Sequence, residues 1–312
     1  MKVGKEKIIS LLGPTSIGKS SLAIKLKDKY PIEIVSVDSV MIYRDMNIGT
    51  DKPSNETLSS IKHHLVNICN PNESYNVGQF YKDIRMIIKS IHDKNKIPFL
   101  VGGSMMYFNS LFNGLSSLPE KNIIERKFID NLLKKYSCNE LHSCLKDIDE
   151  LSYKNIDEND MQRIQRALEV YICTGKPITS FFNNKTKLSD EYNLLTFKLM
   201  SEDRSLIHEK ISMRTKNMFK NNLIDEVTYL IEKYSLTKEN QSMRSIGYRQ
   251  VMDYFDNNTS LQDLENRCVY ATRQLAKRQI TWLKKFDESI IIDIANNNSD
   301  NVEKAIDNHL HF

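Results

Sequence analysis

Short apolar runs alternate with amphipathic helical patterns in the first part of the chain. The runs at residues 8–12, 32–37 and 97–101 have the length and the Ile and Val content of buried strands. Residues 77–94 predict an amphipathic helix, because seven apolar side chains recur there at helical spacing. A strand and helix alternation of this kind predicts a parallel sheet. The apolar positions of that helix are Val77, Phe80, Tyr81, Ile84, Ile87, Ile88 and Ile91.

The alternation stops near residue 115, and only helical patterns follow as far as about residue 190. The strongest of them covers residues 160–174 and ends at Gly175. A strand-like run at residues 194–200 then resumes the alternation, so the helical block interrupts an α/β core. We predict an α/β fold with a parallel-sheet core and an inserted all-helical domain. The core is assigned to residues 1–116 and 191–312, and the insertion to residues 117–190.

A charged residue interrupts the apolar face of the helix that starts near Asp203. Arg214 follows Ile207 by two helical turns and therefore lies on the same face. Burying a guanidinium without an anionic partner is costly. The partner is either an acidic side chain of the chain itself or an anionic ligand, and the pattern leaves both open.

Composition narrows the class of protein. Charged residues make up 27% and hydrophobic residues 40% of the 312, as in ordinary globular proteins, and no apolar run approaches a membrane span or a signal sequence. The five cysteines are scattered without a C-x-x-C pair, which argues against a disulfide framework or a zinc site. We expect a cytoplasmic protein that has no contact with a membrane.

Positive charge is concentrated late in the chain. The net charge is only +4, but residues 244–286 hold eight Lys and Arg against four Asp and Glu. A basic region of this kind is either a solvated face or a surface for nucleic acid.

A glycine-bounded loop follows the first predicted strand and opens a helix. Its sequence matches G-x-x-x-x-G-K-[ST], in which backbone N–H groups wrap a diphosphate at a helix N-terminus. Lys19 supplies a cation for the phosphates, and Ser20 offers a hydroxyl to Mg²⁺. The pattern does not say whether the diphosphate belongs to a nucleotide. The loop consists of Gly13, Pro14, Thr15, Ser16, Ile17, Gly18, Lys19 and Ser20.

Polar residues follow two further predicted strands at their carboxyl ends. Asp38 and Ser39 come after the second strand, and Gly103 and Ser104 come after the strand at 97–101. Ligands bind at this edge of open α/β sheets. A small-molecule kinase, with Asp38 as base or metal anchor, would carry the same set of residues.

Seven sequence blocks, in order over nearly the whole chain, resemble the bacterial tRNA dimethylallyltransferases, also called tRNA isopentenyltransferases. Ser104 stands where that family usually has Thr, and Asn222 stands where it usually has Gly. The blocks are Gly13 to Ser20, Asp38 to Tyr43, Asn47 to Pro53, Leu100 to Tyr107, Asp160 to Arg163, Ile246 to Gln250 and Ala271 to Gln279.

The resemblance implies a prenyl transfer. The dimethylallyl group of dimethylallyl diphosphate moves to the exocyclic amine of the adenine 3′-adjacent to the anticodon of a tRNA, and pyrophosphate leaves in the presence of Mg²⁺. The phosphate loop would then hold a prenyl diphosphate rather than ATP. The resemblance implies three catalytic residues: Asp38 as the base, Ser104 through its hydroxyl, and Arg214, which contacts the pyrophosphate.

The resemblance also implies a tRNA surface and a flipped target base. Two other classes stay open: a kinase or adenylate-type isopentenyltransferase acting on a free nucleotide, and a non-catalytic tRNA-binding protein. We expect a monomer. The residues implied for tRNA contact are Asp38, Ser39, Val40, Met41, Ser104, Arg126, Gln162, Arg163, Ile164, Gln165, Arg166, Arg244, Ser245, Ile246, Gly247, Tyr248 and Arg249.

Overall fold

The chain folds into two compact units in a computed structural model. The larger unit comprises Met1–Phe112 and Leu188–Phe312, and the smaller comprises Asn113–Lys187. Leu188, which the sequence pattern assigned to the insertion, is buried in the core of the larger unit. The structure describes residues 5–119, 127–129, 131–132, 135–182, 185–257, 260–294 and 299–311.

A six-stranded sheet forms the centre of the larger unit, and every neighbouring pair of its strands is parallel. The order β3-β2-β4-β1-β5-β6 puts β1 between β4 and β5. The predicted parallel α/β core is confirmed. The strands are β1 (Lys7–Leu12), β2 (Ile32–Val37), β3 (His63–His64), β4 (Ile97–Gly102), β5 (Asn193–Met200) and β6 (Ile290–Asp293).

Helices cover both faces of the sheet, which explains why its strands read as continuous apolar runs. One face packs its side chains on α3 and α4, through residues such as Phe80 and Phe108. The other face packs on α1, α9, α12 and α13, through residues such as Leu26 and Ile211. The helices of this unit are α1 (Lys19–Lys27), α2 (Asn55–Ser60), α3 (Val77–His92), α4 (Met105–Phe112), α8 (Leu188–Glu191), α9 (Arg204–Lys220), α10 (Leu223–Tyr234), α11 (Tyr248–Asp256), α12 (Leu261–Leu283) and α13 (Ser299–His311).

The described elements of the smaller unit are helical, and they bury a core of their own. Its apolar side chains include Leu145, Ile164 and Val170, all of which are fully buried. The longest helix ends at Gly175, whose positive φ of 66° closes the last turn. The elements are α5 (Cys138–Ile148), α6 (Glu150–Asn155), α7 (Met161–Thr174) and a 3₁₀ turn (Ile178–Phe181).

Among the residues that the structure describes, no helix is both long and apolar enough to cross a membrane.

Candidate functional site

The phosphate loop joins the end of β1 to the start of α1. Gly18 adopts a φ of 101° at the helix N-terminus, a conformation that a side chain would strain. Ser16 also has a positive φ of 63°, and its buried hydroxyl oxygen has no hydrogen-bond partner among the described residues. The loop therefore presents backbone amides and a free hydroxyl at a helix N-terminus, which is the arrangement that binds phosphate.

Lys19 lies inside this loop and is held by it. Its Nζ donates a hydrogen bond of 2.7 Å to the carbonyl oxygen of Pro14. Burial lowers the pKa of Lys19 to about 8; the charge of Asp38 partly offsets that effect, while Arg214 adds to it. A cation with a lowered pKa gains from the approach of an anion, because the anion restores the charged form.

Arg214, on α9, reaches the phosphate loop and also faces an acidic residue. Its guanidinium donates a hydrogen bond of 2.5 Å to Oγ1 of Thr15, and its Nε lies 3.4 Å from Oδ2 of Asp51. The Asp51 side chain is 62% exposed, against 20% for Arg214. Water screens the exposed carboxylate, so this pair leaves the guanidinium able to interact with a further anion.

Asp38 follows β2 at the carboxyl edge of the sheet. Its Oδ1 accepts the amide N–H groups of Val40 at 2.8 Å and Met41 at 3.1 Å, which fixes the carboxylate. No described residue donates a hydrogen bond to its Oδ2. Ser104 Oγ accepts the amide of Ser39 at 2.9 Å, so the polar residues after β2 and β4 are connected to each other.

The phosphate loop, Asp38 and Arg214 line one cavity of about 430 Å³ in the larger unit. Ser20 and Asp38 supply oxygen atoms there, and oxygen is the ligand atom that Mg²⁺ prefers. In the described parts of the chain, no cluster of three or more His, Cys, Asp or Glu side chains could hold a metal alone. The donors fit an ion that takes most of its ligands from water and a diphosphate. The lining includes Thr15, Ser16, Gly18, Lys19, Ser20, Asp38, Val40, Met41, Asp51, Arg214, Ser245, Ile246, Gly247 and Gln279.

Gln279 on α12 was given no role by the sequence, yet it links two parts of this site. Its Oε1 accepts the amide of Thr15 at 2.9 Å, and its Nε2 donates to the carbonyl of Gly103 at 2.8 Å. The sequence did contain one signal for this residue. Gln279 follows Leu275 by one helical turn, so a polar side chain interrupts the apolar face of the helix, as Arg214 does on α9.

Glu226 on α10 holds the loop that carries Asp51. One of its carboxylate oxygens accepts the amides of Asn47 and Ile48 at 2.9 and 2.8 Å. The other accepts the hydroxyl of Tyr248 at 2.6 Å. The Tyr248 ring packs on Gly49, where a Cβ would lie 2.5 Å from a ring carbon. Burial, followed by the nearby Glu226, raises the pKa of Tyr248 well above its ordinary value, so the hydroxyl stays a donor.

The implied tRNA residues of the larger unit differ in exposure. Arg244 and Arg249 are exposed, whereas Gly247 and Tyr248 are buried. Tyr248 is 0% exposed and therefore supports the loop at Asn47 rather than presenting a surface. The remaining implied residues of this unit are half-buried, and they are Asp38, Ser39, Val40, Met41, Ser104, Ser245 and Ile246.

In the smaller unit, α7 carries five of the implied tRNA residues. Arg163 is 68% exposed and pairs with Asp160 at 3.2 Å. Arg166 is less exposed and pairs with the fully buried Glu169 at 3.0 Å, so part of its charge is used inside the unit. Ile164 is buried in the unit's core; Gln162 is exposed and Gln165 is half-buried. Arg126 lies outside the described residues.

Asn222 shows why the family's usual glycine can be replaced at that position. Its φ of 65° and ψ of 48° lie in the left-handed region just before α10. Asparagine enters that region more readily than other residues with a side chain, so the turn into α10 is retained.

Comparison with known proteins gives consistent matches over most of the chain. A tRNA dimethylallyltransferase of Coxiella burnetii is 42% identical over 282 residues, which are 90% of this chain and 91% of that protein. The tRNA isopentenylpyrophosphate transferase of Bacillus halodurans superposes with a TM-score of 0.71 at 29% identity, covering 98% of this chain and 97% of that one. A eukaryotic dimethylallyltransferase acting on tRNA superposes with a TM-score of 0.79 at 28% identity, covering 92% and 74%.

A family model described as IPP transferase matches residues 41–286. Asp38 and the phosphate loop precede that range, but the range includes Ser104, Arg214 and Gln279. The match spans well over half of the chain, and the full-length relatives agree with it. This chain belongs to the IPP transferase family.

Proposed function

We propose that this protein transfers the dimethylallyl group of dimethylallyl diphosphate to the N6 amine of the adenine 3′-adjacent to the anticodon in tRNA. The C1–O bond of the prenyl diphosphate breaks, the bond from C1 to N6 forms, and pyrophosphate leaves with the electron pair. The observation that supports this most directly is a single cavity lined both by the phosphate loop and by a fixed carboxylate, Asp38.

The diphosphate is assigned to the loop amides, Lys19 and Arg214. As the allylic bond breaks, negative charge grows on pyrophosphate, and fixed donors aimed at it lower the barrier. Lys19 and Arg214 suit this purpose because each contacts the loop that would wrap the diphosphate. Mg²⁺ bound at Ser20 and the phosphates would add further stabilisation of that charge.

The acceptor amine is assigned to Asp38. N6 loses a proton as it attacks C1, and a carboxylate within reach can take it, a contribution of ~10² to 10⁴ in rate. The hydrogen bonds from Val40 and Met41 hold Oδ1, while Oδ2 has no described donor. Ser104 and Ser39 hydrogen-bond to each other and order the chain beside Asp38.

The target adenine must leave its stack to reach this cavity, since enzymes that modify a base act on an extruded nucleotide. We assign RNA contact to the exposed Arg244 and Arg249 in the larger unit and to Gln162 and Arg163 in the smaller one. Tyr248 and Ile164 act by positioning these neighbours, because both are fully buried. Arg126 stays a prediction.

The test is a transfer assay with labelled dimethylallyl diphosphate and an unmodified tRNA transcript. We expect label on the RNA and release of pyrophosphate, with dependence on Mg²⁺. A transcript with guanine in place of the target adenine is the matched control and should stay unlabelled. Label on AMP, or phosphate transfer from ATP to a nucleotide, with none on tRNA would overturn the proposal. Light scattering of the same preparation tests the expected monomer.

A further inference from the structure

A buried lysine of the larger unit lies beside the functional site, and the reaction as described makes no use of it. Lys52 is only 9% exposed. Its neighbours in the chain, Asp51 and Pro53, both line the cavity that contains the phosphate loop and Asp38, which we call the first cavity. Burying an ammonium group is costly unless its hydrogens find acceptors. The acceptors of Lys52 therefore indicate what it does.

The ammonium group of Lys52 joins three separate points of the chain. Its Nζ donates hydrogen bonds to the carbonyl oxygen of Tyr43 at 2.8 Å, to Oδ1 of Asn67 at 2.7 Å and to Oδ1 of Asn47 at 3.2 Å. An ammonium has three hydrogens to donate, and these acceptors take all of them. None of the three is charged, so they offset less of the cost of burial than a carboxylate would. The contacts tie segments of the chain together rather than neutralise a charge.

Two of these acceptors connect the buried ammonium to the residues that hold Asp38. Tyr43 donates its amide to the carbonyl of Val40 at 3.1 Å, and Asn67 donates its amide to the carbonyl of Met41 at 3.2 Å. Val40 and Met41 in turn donate their own amides to Oδ1 of Asp38. Each amide that fixes the carboxylate therefore belongs to a residue whose carbonyl is bound by a partner of the ammonium.

The backbone around these contacts needs support, because it contains unfavourable angles. Asp45, Asp51 and Asn67 have φ values of 64°, 57° and 55°. This left-handed region costs free energy for a residue that has a side chain. Such conformations persist where the surrounding contacts over-determine them, and Asn67 is itself one of the acceptors of Lys52. Without the ammonium, we expect this segment to relax.

We propose that Lys52 is a positioning residue for the base Asp38. Its ammonium fixes the turn at residues 38–43, and the amides of that turn leave Oδ2 of Asp38 free to take the proton of the acceptor amine. The proton passes to Asp38 and not to Lys52, whose three hydrogens are already in use. This inference rests on the proposed function, because it takes Asp38 to be the base of the transfer.

The first test removes the ammonium. Lys52→Met keeps a side chain of similar length, and the comparison is made at pH 7, below the pKa of about 8 to which burial lowers Lys52. The single-turnover rate of transfer to tRNA should fall by ~10- to 10²-fold, because a small misplacement of a reacting group is enough for such a loss. The KM for dimethylallyl diphosphate should stay within about twofold, since the phosphate loop is held by other residues.

Lys198→Met is the matched control for that variant. Lys198 is also buried, with 6% exposure, but it lies on β5 outside the first cavity. Replacing it should leave the single-turnover rate unaltered. A loss as large as that of Lys52→Met would show that any buried lysine of this unit has the same effect, and would overturn the inference.

A double variant separates positioning from general support of the fold. Asp38→Asn already lacks the base, so a residue that acts through that base has nothing further to lose. Lys52→Met should slow Asp38→Asn by less than about twofold, although it slows the unaltered protein ~10- to 10²-fold. Equal factors in the two backgrounds would mean that Lys52 supports the fold alone.

The acceptor side tests the same path without altering Lys52. Asn67→Gly removes Oδ1 and tolerates the positive φ, whereas Asn67→Asp keeps an oxygen at that point. The glycine variant should lower the single-turnover rate ~10-fold, and the aspartate variant should react like the unaltered protein. Equal rates for these two variants would contradict the path through Asn67. This comparison remains decisive if Lys52→Met does not fold.

Hydrogen exchange follows the amides themselves and does not depend on transfer. In Lys52→Met, the amides of Val40 and Met41 should exchange ~10-fold faster, while those of β1 stay protected. If the unaltered protein prenylates tRNA but these amides and the double variant show no effect, the inference fails and the proposed function stands. If the unaltered protein modifies no RNA while the two amides still depend on Lys52, the proposed function fails and the positioning of Asp38 remains.

Discussion

Two cationic side chains, Lys19 and Arg214, lie close together in the first cavity. Nearby carboxylates offset their positive charge only in part. Burial and the neighbouring Arg214 lower the pKa of Lys19, while Asp38 and Asp51 act in the opposite direction. In the empty protein this arrangement is electrostatically unfavourable. We propose that a diphosphate relieves it, so that part of the binding free energy of the ligand would come from the way these residues are already placed.

The pH dependence of diphosphate binding should follow Lys19. With a pKa of about 8, the amine of the free protein is charged at pH 7 and neutral at pH 9. Because the charged form binds phosphate, kcat/KM for dimethylallyl diphosphate should fall as the pH rises through 8. Lys19→Arg keeps a charge at all these pH values, so its profile should lack this step. A wild-type profile that stays flat from pH 7 to 9 would contradict the assignment.

Asp38→Asn tests the base. The amide preserves the shape of the carboxylate but cannot take a proton, so transfer should fall by ~10² to 10⁴. Binding of tRNA and of the diphosphate should change little, since Oδ1 of the amide can still accept from Val40 and Met41. Rapid-quench measurement of a single turnover gives the chemical step directly. The control is Asp51→Asn, which alters an exposed carboxylate of the same cavity. Near-normal turnover of Asp38→Asn would exclude proton transfer by Asp38.

At the scale of elements, Gln279 connects α12 to both loops of the site. Its amide group donates to the loop after β4 and accepts from the loop after β1, and it is only 8% exposed. Among the described residues, no other side chain of α12 hydrogen-bonds to the amide of Thr15 or to the carbonyl of Gly103. We therefore regard Gln279 as a positioning residue. By accepting the amide of Thr15, it holds the phosphate loop in place.

Gln279→Leu removes both hydrogen bonds while keeping the volume similar. Losing buried hydrogen bonds and leaving their partners unpaired should cost ~1–3 kcal/mol of stability. The KM for dimethylallyl diphosphate should rise about tenfold, because a misplaced phosphate loop binds with less favourable geometry. KM for tRNA should stay unchanged. The matched control is Gln262→Leu, which changes an exposed glutamine of the same helix. If Gln279→Leu lowers the melting temperature without changing KM, the role of Gln279 is purely structural.

The sequence predicts the long elements well, for a physical reason. Strands buried on both faces, such as those at 32–37 and 97–102, require continuous apolar runs, and these are easy to recognise. The two-residue strand His63–His64 has no such run, and its pairing with β2 depends on tertiary contacts. Which polar side chains meet across the fold is also set by packing, as the link between Thr15 and Gln279 shows.

Arg214 shows which contacts of the site could be predicted from the sequence and which could not. Its position on an apolar face predicts an anionic partner, and the structure provides Asp51 at 3.4 Å. The pattern could not indicate the contact with Thr15, because the two residues are 199 positions apart. Only the assembled sheet brings α9 beside the loop after β1.

At the scale of the whole molecule, the residues assigned to RNA are divided between the two units. Asp38, Ser104 and Arg249 belong to the larger unit with the complete first cavity, whereas Arg163 and Arg166 belong to the smaller unit. We therefore expect binding of the diphosphate to require the larger unit alone. We propose that recognition of a whole tRNA draws on both units, so that the smaller unit would distinguish tRNA from a free nucleotide.

Deletion of residues 113–187 separates these two requirements. The ends to be joined, Phe112 and Leu188, belong to α4 and α8, which pack against each other in the larger unit, so a short flexible linker can connect them. The shortened protein should bind dimethylallyl diphosphate with the affinity of the intact chain, as measured by calorimetry. Transfer to tRNA should fall by ~10² or more, because the acceptor is no longer held in place.

The control for this deletion is the intact chain assayed on tRNA and on AMP in parallel. Transfer to AMP should be negligible for both proteins, because AMP lacks the anticodon arm that the smaller unit would hold. Retained diphosphate binding shows that the shortened protein is folded, so a loss of tRNA transfer then reports on recognition alone. If the two proteins instead prenylate or phosphorylate a free nucleotide equally well, tRNA is not the substrate, and the smaller unit serves some other purpose than holding it.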